Sequence, residues 1–288
     1  MIAPDLPTGA ELTRLREVAE VVATEAGRLI VSQRPDRVAV AATKSSPTDV
    51  VTAMDHAAEQ LLIGRLQELR PEDGFLGEES GFRPGRSGLT WVVDPIDGTV
   101  NYLYGLPSYA VSVALVAGAE PTAEPDPRTW QALVGCVHAP ALGETWSAAR
   151  GQGARLAEST GTRDLAGPAS PGLAEALVAT GFGYSAPRRR RQAEVVLDLL
   201  PRIRDLRRTG VASLDLCAVA AGRVDGYYER GLNAWDFAGA LVVARETGAV
   251  VTDFAGGEPH PGGLLAAGAG LHRVLLDALL SAGVTRED

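Results

Sequence analysis

The segment WVVDPIDGTVNYLYG, residues 91–105, constrains the fold of this chain more than any other. An apolar strand delivers Asp94 at its end, and the proline that follows fixes the next backbone angle. Asp97 comes three residues after Asp94, so a tight turn can bring the two carboxylates together. Gly98 and Thr99 then look like the start of a short helix, whose free N–H groups form an anion site. Two hard oxygen ligands beside a helix N-terminus suit a divalent cation held together with a phosphate.

Two further acidic segments argue against a simple turn at this position. A DxxDG segment alone is usually an Asx-type turn that caps a helix. However, GEES places Glu78 directly after an apolar pair, and NAWDF places Asp236 in the first turn of an apolar helix. Neither segment contains a Lys or Arg partner, and three acid-bearing strand or helix ends are hard to explain as helix-end electrostatics alone. The residues of the predicted carboxylate cluster are Glu78, Asp94, Asp97 and Asp236.

The order of the predicted elements indicates a layered protein with mixed sheets and helices. Apolar side chains recur with helical spacing over residues 11–32 and 55–69, and short β-like runs follow as far as residue 148. Strands then alternate with helices, which is typical of an α/β arrangement. We predict an N-terminal α+β lobe (1–150) that carries the metal-binding motifs and a C-terminal α/β lobe (151–288) that completes the site, within a single structural unit. The predicted helices of the second lobe cover residues 189–203, 213–221, 235–247 and 271–280.

Composition and charge limit the classes of function. The 288 residues include 36 acidic and 27 basic side chains, a net charge of −9, and an acidic surface repels the phosphate backbone of nucleic acid. The first residues lack the basic and apolar regions of a signal peptide, and the apolar stretches are too short to span a bilayer. Cys136 and Cys217 lie in apolar segments, as free buried thiols do. We therefore expect a cytoplasmic protein that binds neither membranes nor nucleic acid.

The remaining charged residues give weaker signals. The four histidines are scattered without ligand spacing, so we do not expect them to bind a metal. Four arginines, residues 188–191, follow a proline at the start of a predicted helix. We interpret this run as a solvated helix face rather than as a dedicated anion or partner site.

Three segments resemble the signature motifs of the inositol monophosphatase family, namely GEES, DPIDGTVNY and WDFAGALVVARETGA. The similarity extends through KSSPTDVVTAMD and RRTGVASLDLCAVAAGRVDGYYE, and so covers most of the chain from residue 44 to about 254. TGFGYS followed by RQAE is most similar to the bacterial inositol-1-monophosphatase branch. The resemblance implies the α-β-α-β-α layered sandwich of the sugar phosphatases, which include inositol monophosphatase and fructose bisphosphatase, and it implies a homodimer.

The resemblance also implies that each active site binds two or three Mg²⁺ ions, for which Mn²⁺ could substitute. The positions that match metal ligands of the family are Glu78, Asp94, Asp97, Asp236 and the backbone carbonyl of Ile96. Asp94 would be shared by the two principal ions, and Glu79 beside Glu78 would border a weaker third site, close to Lys44 on a mobile loop. Carboxylates, a carbonyl and water favour Mg²⁺ or Mn²⁺ over zinc. Inhibition by Li⁺ is a further expectation from the resemblance.

Catalytic and substrate-binding roles follow from the same motifs. Asp55 and Thr99 match the pair that positions and deprotonates the metal-bound water, and Glu78 belongs with them as a catalytic residue. The positions that match contacts to the phosphate or to substrate hydroxyls are Asp97, Gly98, Thr99, Ala212 and Glu229. Val211 stands where many relatives have Ser, and this difference bears on substrate selectivity rather than on metal binding.

The leading hypothesis is therefore a Mg²⁺-dependent phosphomonoesterase that hydrolyses myo-inositol 1-phosphate to inositol and phosphate. The first alternative is the same mechanism acting on histidinol phosphate, fructose 1,6-bisphosphate or adenosine 3′,5′-bisphosphate. The second is a regulatory protein that keeps the fold and binds the transcription machinery, although an intact acidic cluster argues for catalysis. The third is a structural Ca²⁺-binding domain, against which the absence of an EF-hand loop argues.

Overall fold

A computed structural model describes residues 6–35, 38–44, 50–118 and 123–285. The helices in these ranges are α1 (Ala10–Ser32), α2 (Ala53–Leu69), α3 (Thr99–Tyr104), α4 (Ala186–Leu199), α5 (Ala212–Ala220), α6 (Ala234–Glu246) and α7 (Ala269–Ser281). A small two-stranded sheet contains β1 (Ala42–Thr43) and β2 (Val50–Val51). The eight-stranded sheet contains β3 (Gly74–Gly77), β4 (Gly81–Arg83), β5 (Leu89–Asp97), β6 (Ala110–Ala117), β7 (Gln131–Ala139), β8 (Glu144–Ala149), β9 (Ala154–Glu158) and β10 (Gly161–Asp164). The five-stranded sheet contains β11 (Leu177–Thr180), β12 (Asp205–Arg207), β13 (Gly226–Glu229), β14 (Val250–Thr252) and β15 (Leu264–Ala267).

Both large sheets are mixed. The eight strands lie in the order β10-β9-β8-β7-β6-β5-β3-β4, and β3 with β5 is their parallel pair. The five strands lie in the order β12-β11-β13-β15-β14, with β11 parallel to both of its neighbours and β15 antiparallel to both of its own. The parallel pair β3 and β5 matters most for function, because the ends of parallel strands meet at one edge of a sheet.

Three apolar cores define five layers. One core, which includes Trp91, lies between the eight-stranded sheet and helices α1 and α2. The middle core, which includes Phe237, surrounds α5 and α6 between the two large sheets. The third core, which includes Leu275, lies between the five-stranded sheet and helices α4 and α7. The order is therefore α-β-α-β-α, which confirms the predicted layered sandwich.

The middle layer explains the apolar sequence of α6. Residues from Phe237 to Ala244 in α6 are all buried, because a helix covered on both sides has no polar face. A β-carbon at Gly135 of β7 would lie 2.0 Å from the carbonyl oxygen of Gly239, so the backbone of α6 rests directly on the sheet. This close contact fixes α6, and with it the Asp236 side chain at its start.

The predicted helices agree with the structure except at α4. That helix begins at Ala186 rather than at residue 189, because Ser185 caps it and proline is tolerated in a first helical turn. It ends at Leu199, and a short 3₁₀ turn around Pro201 takes the place of the predicted last turn. Part of the KSSPTDVVTAMD loop, residues 45–49, lies outside the described residues. The division of the chain into lobes at residue 150 stays a prediction.

Two other expectations concern the cysteines and the membrane. Cys136 and Cys217 are free and buried, which confirms the expectation from their apolar segments. Of the helices in the described ranges, none combines the length and the apolar character that crossing a bilayer requires.

Candidate active site

The acidic residues of β3 and β5 lie at one edge of the eight-stranded sheet. Gly77 of β3 is paired with Val93 of β5, so Glu78 and Asp94 follow the same register position on neighbouring strands. Further along β5, pairing with β6 shifts between Asp94 and Asp97, where the strand contains an extra residue. Residues three apart in a regular strand point to opposite faces, and a bulge changes that alternation. Both aspartates consequently line one cleft of about 510 Å³.

The turn after β5 requires glycine. Gly98 has a φ of +92°, a left-handed conformation that side chains disfavour. A β-carbon at this position would lie 2.8 Å from Cγ2 of Val211 and 3.2 Å from the carbonyl oxygen of Ser108. Val211 is therefore packed against the turn. The start of α3, at Thr99, lines the cleft.

Two other helices also begin at the cleft. The backbone N–H of Ser213, in the first turn of α5, donates to Oδ2 of Asp97 at 2.7 Å. The Oδ2 atom of Asp236, in the first turn of α6, accepts from the N–H of Asn233 at 2.6 Å. Because helix N-termini carry partial positive charge, the starts of α3, α5 and α6 make the cleft favourable to anions.

The carboxylates in the cleft raise one another's pKa. Burial raises the pKa of Asp94 well above its usual value, and the charges of Glu78, Asp97 and Asp236 raise it further. The pKa of Asp236 is raised well above its usual value by burial and by the charges of Asp97 and Glu78. Burial raises the pKa of Asp97 to about 6, although the hydrogen bonds from the start of α5 lower it. These shifts place the four groups within electrostatic reach of one another.

Lys44 is the nearest cation to this cluster. Its Nζ donates to Oε1 of Glu78 at 2.8 Å and to Oε1 of Glu79 at 2.6 Å. Burial nevertheless raises the pKa of Glu78 to about 7, which the charge of Lys44 opposes. One ammonium group cannot neutralise a cluster of this size.

The donor set of the cluster suits divalent cations. The set contains four carboxylates and the carbonyl of Ile96, which are all hard oxygen donors. Asp94 and Asp97 are buried and Glu78 and Asp236 are half-buried, and cations between them would relieve their mutual repulsion. Within the described residues, no three Asp, Glu, His or Cys side chains already converge as a closed set of ligands. Lys44 bridges Glu78 and Glu79 beside these carboxylates. Small side-chain rotations would be needed for the carboxylates to share an ion.

Behind the cleft, Thr99 and Asp55 are joined by a hydrogen bond. The Oγ1 atom of Thr99 lies 3.1 Å from Oδ1 of Asp55 and 3.0 Å from the carbonyl oxygen of Ile96, so it can donate to either. The other carboxylate oxygen of Asp55 accepts from the N–H of Thr52 at 2.8 Å and from its hydroxyl at 2.5 Å. Burial raises the pKa of Asp55, and the hydrogen bonds from Thr52 and Thr99 oppose that shift. A proton on the cleft side of Thr99 can thus be passed to a fixed carboxylate.

A fifth carboxylate, that of Glu229, also lines the cleft, within electrostatic reach of Asp97 and Asp236. The hydroxyl of Tyr227 donates to Oε2 of Glu229 at 2.7 Å, which fixes the direction of that side chain. A β-carbon at Gly181 would lie 1.9 Å from the same oxygen, so the glycine makes room for the carboxylate. Burial raises the pKa of Glu229 to about 7. A carboxylate in this position can accept hydrogen bonds from hydroxyl groups of a ligand.

The structure brings the predicted residues together. Those that line the cleft are Glu78, Asp94, Ile96, Asp97, Gly98, Thr99, Ala212, Glu229 and Asp236. Asp55 does not line it and reaches it through Thr99. Their roles as ligands and catalytic groups stay predictions.

The cleft also contains residues that the sequence did not point to. These are Phe182, Arg188, Arg208, Leu232 and Trp235. Arg188 differs from the interpretation of residues 188–191 as a solvated face, because it is half-buried in the cleft wall while the next three arginines are exposed. The sequence signal that could have placed Arg188 in the cleft was its position in a first helical turn, close to the glycines of TGFGYS.

Comparisons with known proteins agree with this geometry. Residues 11–284 match the model of the inositol monophosphatase family. An inositol-1-monophosphatase of Mycobacterium bovis is 42% identical over 287 residues, covering 93% of this chain and 94% of that protein. The solved structure of Mycobacterium tuberculosis SuhB has a TM-score of 0.77 and 39% identity, covering 96% of this chain and 99% of that one. The chain therefore belongs to the inositol monophosphatase family, which confirms the resemblance.

Another relative has a different name. The Nus factor SuhB of Escherichia coli is 38% identical over 246 residues, covering 84% of this chain and 86% of that protein. Family membership indicates a phosphatase, and a small phosphate ester is the class of substrate that such a cleft takes.

Proposed function

We propose that this phosphatase hydrolyses myo-inositol 1-phosphate to inositol and phosphate in a Mg²⁺-dependent reaction. The observation that carries the proposal is the group of four buried or half-buried carboxylates that line one cleft with the starts of three helices. The names of relatives that are 42% identical, inositol-1-monophosphatases, support inositol 1-phosphate as the substrate.

Two or three ions would be held by the predicted ligands, which are Glu78, Asp94, Asp97, Asp236 and the carbonyl of Ile96, with Glu79 beside the third site. When bound, Mg²⁺ lowers the pKa of coordinated water and neutralises charge on the phosphoryl and leaving oxygens. Mn²⁺ has similar ligand preferences and could take its place.

The protein's own groups perform the remaining tasks. The N–H groups of Gly98 and Thr99 at the start of α3 would bind the phosphate oxygens. The Thr99 hydroxyl would orient the attacking water, and Asp55 would accept its proton through the 3.1 Å hydrogen bond. Glu229, which Tyr227 holds in place, would accept hydrogen bonds from inositol hydroxyls together with Asp97 and the backbone at Ala212.

The deciding experiment measures phosphate release from inositol 1-phosphate with and without Mg²⁺. We expect Asp94→Asn to lower kcat by roughly 10³-fold, because it removes the carboxylate that the two principal ions would share. Asp198→Asn is the matched control, since Asp198 is an exposed aspartate on α4 outside the cleft. Equal Mg²⁺-dependent turnover by wild type and Asp94→Asn would reject the site. Titration of Li⁺ in the same assay tests the expected inhibition.

A panel of other esters tests the substrate separately from the mechanism. Histidinol phosphate, fructose 1,6-bisphosphate and adenosine 3′,5′-bisphosphate are its members. A kcat/KM for inositol 1-phosphate well below that of another ester would reject the substrate but leave the catalytic site standing.

We also propose a second candidate function, an interaction with the transcription machinery, because a relative at 38% identity is a Nus factor. Recovery of RNA polymerase with the tagged protein, unchanged by Asp94→Asn, would support a role separate from catalysis. Recovery no greater than with an unrelated tagged protein would reject it.

The homodimer is likewise a proposal. Sedimentation velocity at micromolar concentration should give a species of about twice the chain mass. A monomer over the whole concentration range would reject it.

A further inference from the structure

Asn101 is a buried residue of α3, two positions after Thr99, and it is 6% exposed. Its Nδ2 atom donates to the carbonyl oxygen of Ser108 at 2.8 Å and to the carbonyl oxygen of Thr209 at 2.9 Å. Because both partners can only accept, the NH₂ group of the amide faces them and both of its protons are used. The side chain therefore joins α3 to a segment that lies 108 residues further along the chain.

The outer helix layer holds α3 from behind. The hydroxyl of Tyr102 donates to the carbonyl oxygen of Ile30, in α1, at 2.9 Å. The Nη2 atom of Arg34, which follows α1, donates to the carbonyl oxygen of Tyr102 at 2.9 Å. The hydroxyl of Thr99 at the start of α3 is thus tied to the layer formed by α1 and α2 rather than to the middle layer.

The segment 209–213 belongs to the middle layer, because it leads into α5. Val211 packs against the position of Gly98 in the turn after β5. The N–H of Ser213 donates to Oδ2 of Asp97 at 2.7 Å. The end of the segment nearest to α5 is therefore in direct contact with the turn that carries the catalytic groups.

The other end of this segment is held by Asn101. Gly210 separates Thr209 from Val211 and has a φ of +82°, a conformation that glycine adopts without strain. A glycine at this point is a flexible joint, so contacts made by Val211 do not fix the direction of the Thr209 carbonyl. The hydrogen bond from Asn101 fixes it instead. Without that bond the carbonyl could turn towards water, and the backbone after it could shift.

We propose that Asn101 is a positioning residue, which sets the distance between the Thr99 hydroxyl and the backbone at Ala212. The proposal rests on the proposed function, in which Thr99 orients the attacking water and Ala212 contacts substrate hydroxyls. Asn101 is not among the residues that line the cleft, so it would act through these neighbours. The phosphate and the hydroxyls of inositol 1-phosphate would meet groups from different layers, and a small change in their separation would misplace the reacting atoms.

Two phosphate esters test this role. Inositol 1-phosphate would use both groups of contacts, whereas 4-nitrophenyl phosphate has no hydroxyl and would use only those to the phosphate. We expect Asn101→Ala to lower kcat/KM for inositol 1-phosphate by about tenfold, the size of one well-placed hydrogen bond. The value for 4-nitrophenyl phosphate should change by less than threefold. An equal loss for both esters would overturn the proposal, because a purely structural role predicts it.

Two further variants control for stability. Tyr102→Phe removes a hydrogen bond of the neighbouring residue on α3 without touching the segment 209–213. Any loss that it causes should be equal for the two esters. Asn101→Ser keeps a small polar side chain that is too short to reach both carbonyls, and it should change the ratio of the two kcat/KM values in the same direction as Asn101→Ala. A ratio that Asn101→Ser and Tyr102→Phe change equally would overturn the assignment.

Hydrogen exchange separates this proposal from the proposed function, because it needs no turnover. In the wild type the N–H groups of Val211 and Ser213 are both hydrogen-bonded. In Asn101→Ala and Asn101→Ser, amides 210–213 should exchange at least tenfold faster, while those of α7 exchange at the wild-type rate. Absence of hydrolysis of both esters by the wild type would reject the proposed function, and the exchange rates would still test the link. Unchanged exchange over 210–213 would overturn the positioning role whatever the turnover.

Discussion

The two ends of the cleft are built in different ways. At the carboxylate end, side chains leave strand ends and helix starts, and backbone N–H groups hold them, as Ser213 holds Asp97 and Asn233 holds Asp236. At the arginine end, where Arg188 and Arg208 line the cleft, glycines leave space for the guanidinium groups. Arg208 also lies over the ring of Phe182 and is attracted by the carboxylates of Glu229 and Asp215. Groups held by secondary structure keep a precise geometry, which chemistry requires. The arginines instead depend on space and charge supplied by other segments, so the tertiary fold sets their geometry.

The largest effect should come from the carboxylate end. Thr99→Val removes the hydroxyl that links the cleft to Asp55 and keeps the shape of the side chain. We expect kcat for inositol 1-phosphate to fall by about 10²- to 10⁴-fold, the usual contribution of acid–base catalysis. Thr129→Val, a substitution of an exposed threonine, is the control. Turnover within threefold of wild type would show that the Thr99 hydroxyl does not take part in the chemical step.

The second effect concerns metal affinity and pH. Burial raises the pKa of Glu78 to about 7, so at pH 6 the proposed ligand is mostly protonated and a cation must displace the proton. Affinity should therefore rise with pH, and the apparent Kd for Mg²⁺ should fall by about tenfold between pH 6 and pH 8. Titration calorimetry in buffers of different ionisation enthalpy would measure the released protons. An affinity independent of pH would show that the carboxylates are already ionised.

A smaller effect should come from a substitution of Glu229. Glu229→Gln removes the charge that accepts hydrogen bonds from ligand hydroxyls and keeps the length of the side chain. KM for inositol 1-phosphate should rise by about tenfold while kcat changes by less than threefold, because the interaction is the same in ground and transition states. Steady-state kinetics would measure both constants. A fall in kcat at constant KM would instead place Glu229 in the chemical step.

The last effect is on stability rather than on turnover and concerns Asp215, a buried residue of α5. Burial, together with the charges of Glu229 and Asp97, raises its pKa to about 8. The folded protein thus keeps a proton that the unfolded chain has already lost, so this group lowers the free energy of unfolding as pH rises from about 4 to 8. Relative to wild type, the free energy of unfolding of Asp215→Asn should therefore be about 3 kcal/mol higher at pH 8 than at pH 5, since each pH unit in this range is worth about 1.4 kcal/mol.

Urea unfolding with EDTA present, at both pH values, measures this difference. Asp198→Asn serves as the exposed control. A difference in the free energy of unfolding between Asp215→Asn and wild type that is the same at both pH values would show that the Asp215 carboxyl ionises normally in the folded protein.

The carboxylate end could be predicted from sequence because its information is local. Asp94, Asp97, Gly98 and Thr99 lie within six consecutive positions, and each follows from a strand end, a turn or a helix start. Their bonding partners could not be predicted, because Ser213 lies 116 residues from Asp97 and only the packing of α5 brings them together. The motif specified the groups, and the tertiary fold specified their neighbours.

The arginine end was missed for the same physical reason. Residues 188–191 form one charged run, and sequence alone cannot tell which member faces the cleft. Arg188 does so because Gly183 and Gly231, the latter on a distant segment, leave space for it. Short strands such as β12 and β15 were missed too, since three or four residues give no clear periodicity and their pairing comes from other segments.

The doubly covered middle layer has a consequence for how the chain could be divided. Helices α5 and α6 need the eight-stranded sheet on one side and the five-stranded sheet on the other. If the chain were cut near Pro168, between the two sheets, each fragment would expose a large apolar surface, and Asp94 and Asp236 would be on separate molecules. Neither fragment would be active alone, and each would be the natural partner of the other. The protein is thus a candidate for split-enzyme complementation. In such an assay each fragment is fused to one of two proteins, and recovery of phosphate release shows that the two proteins interact.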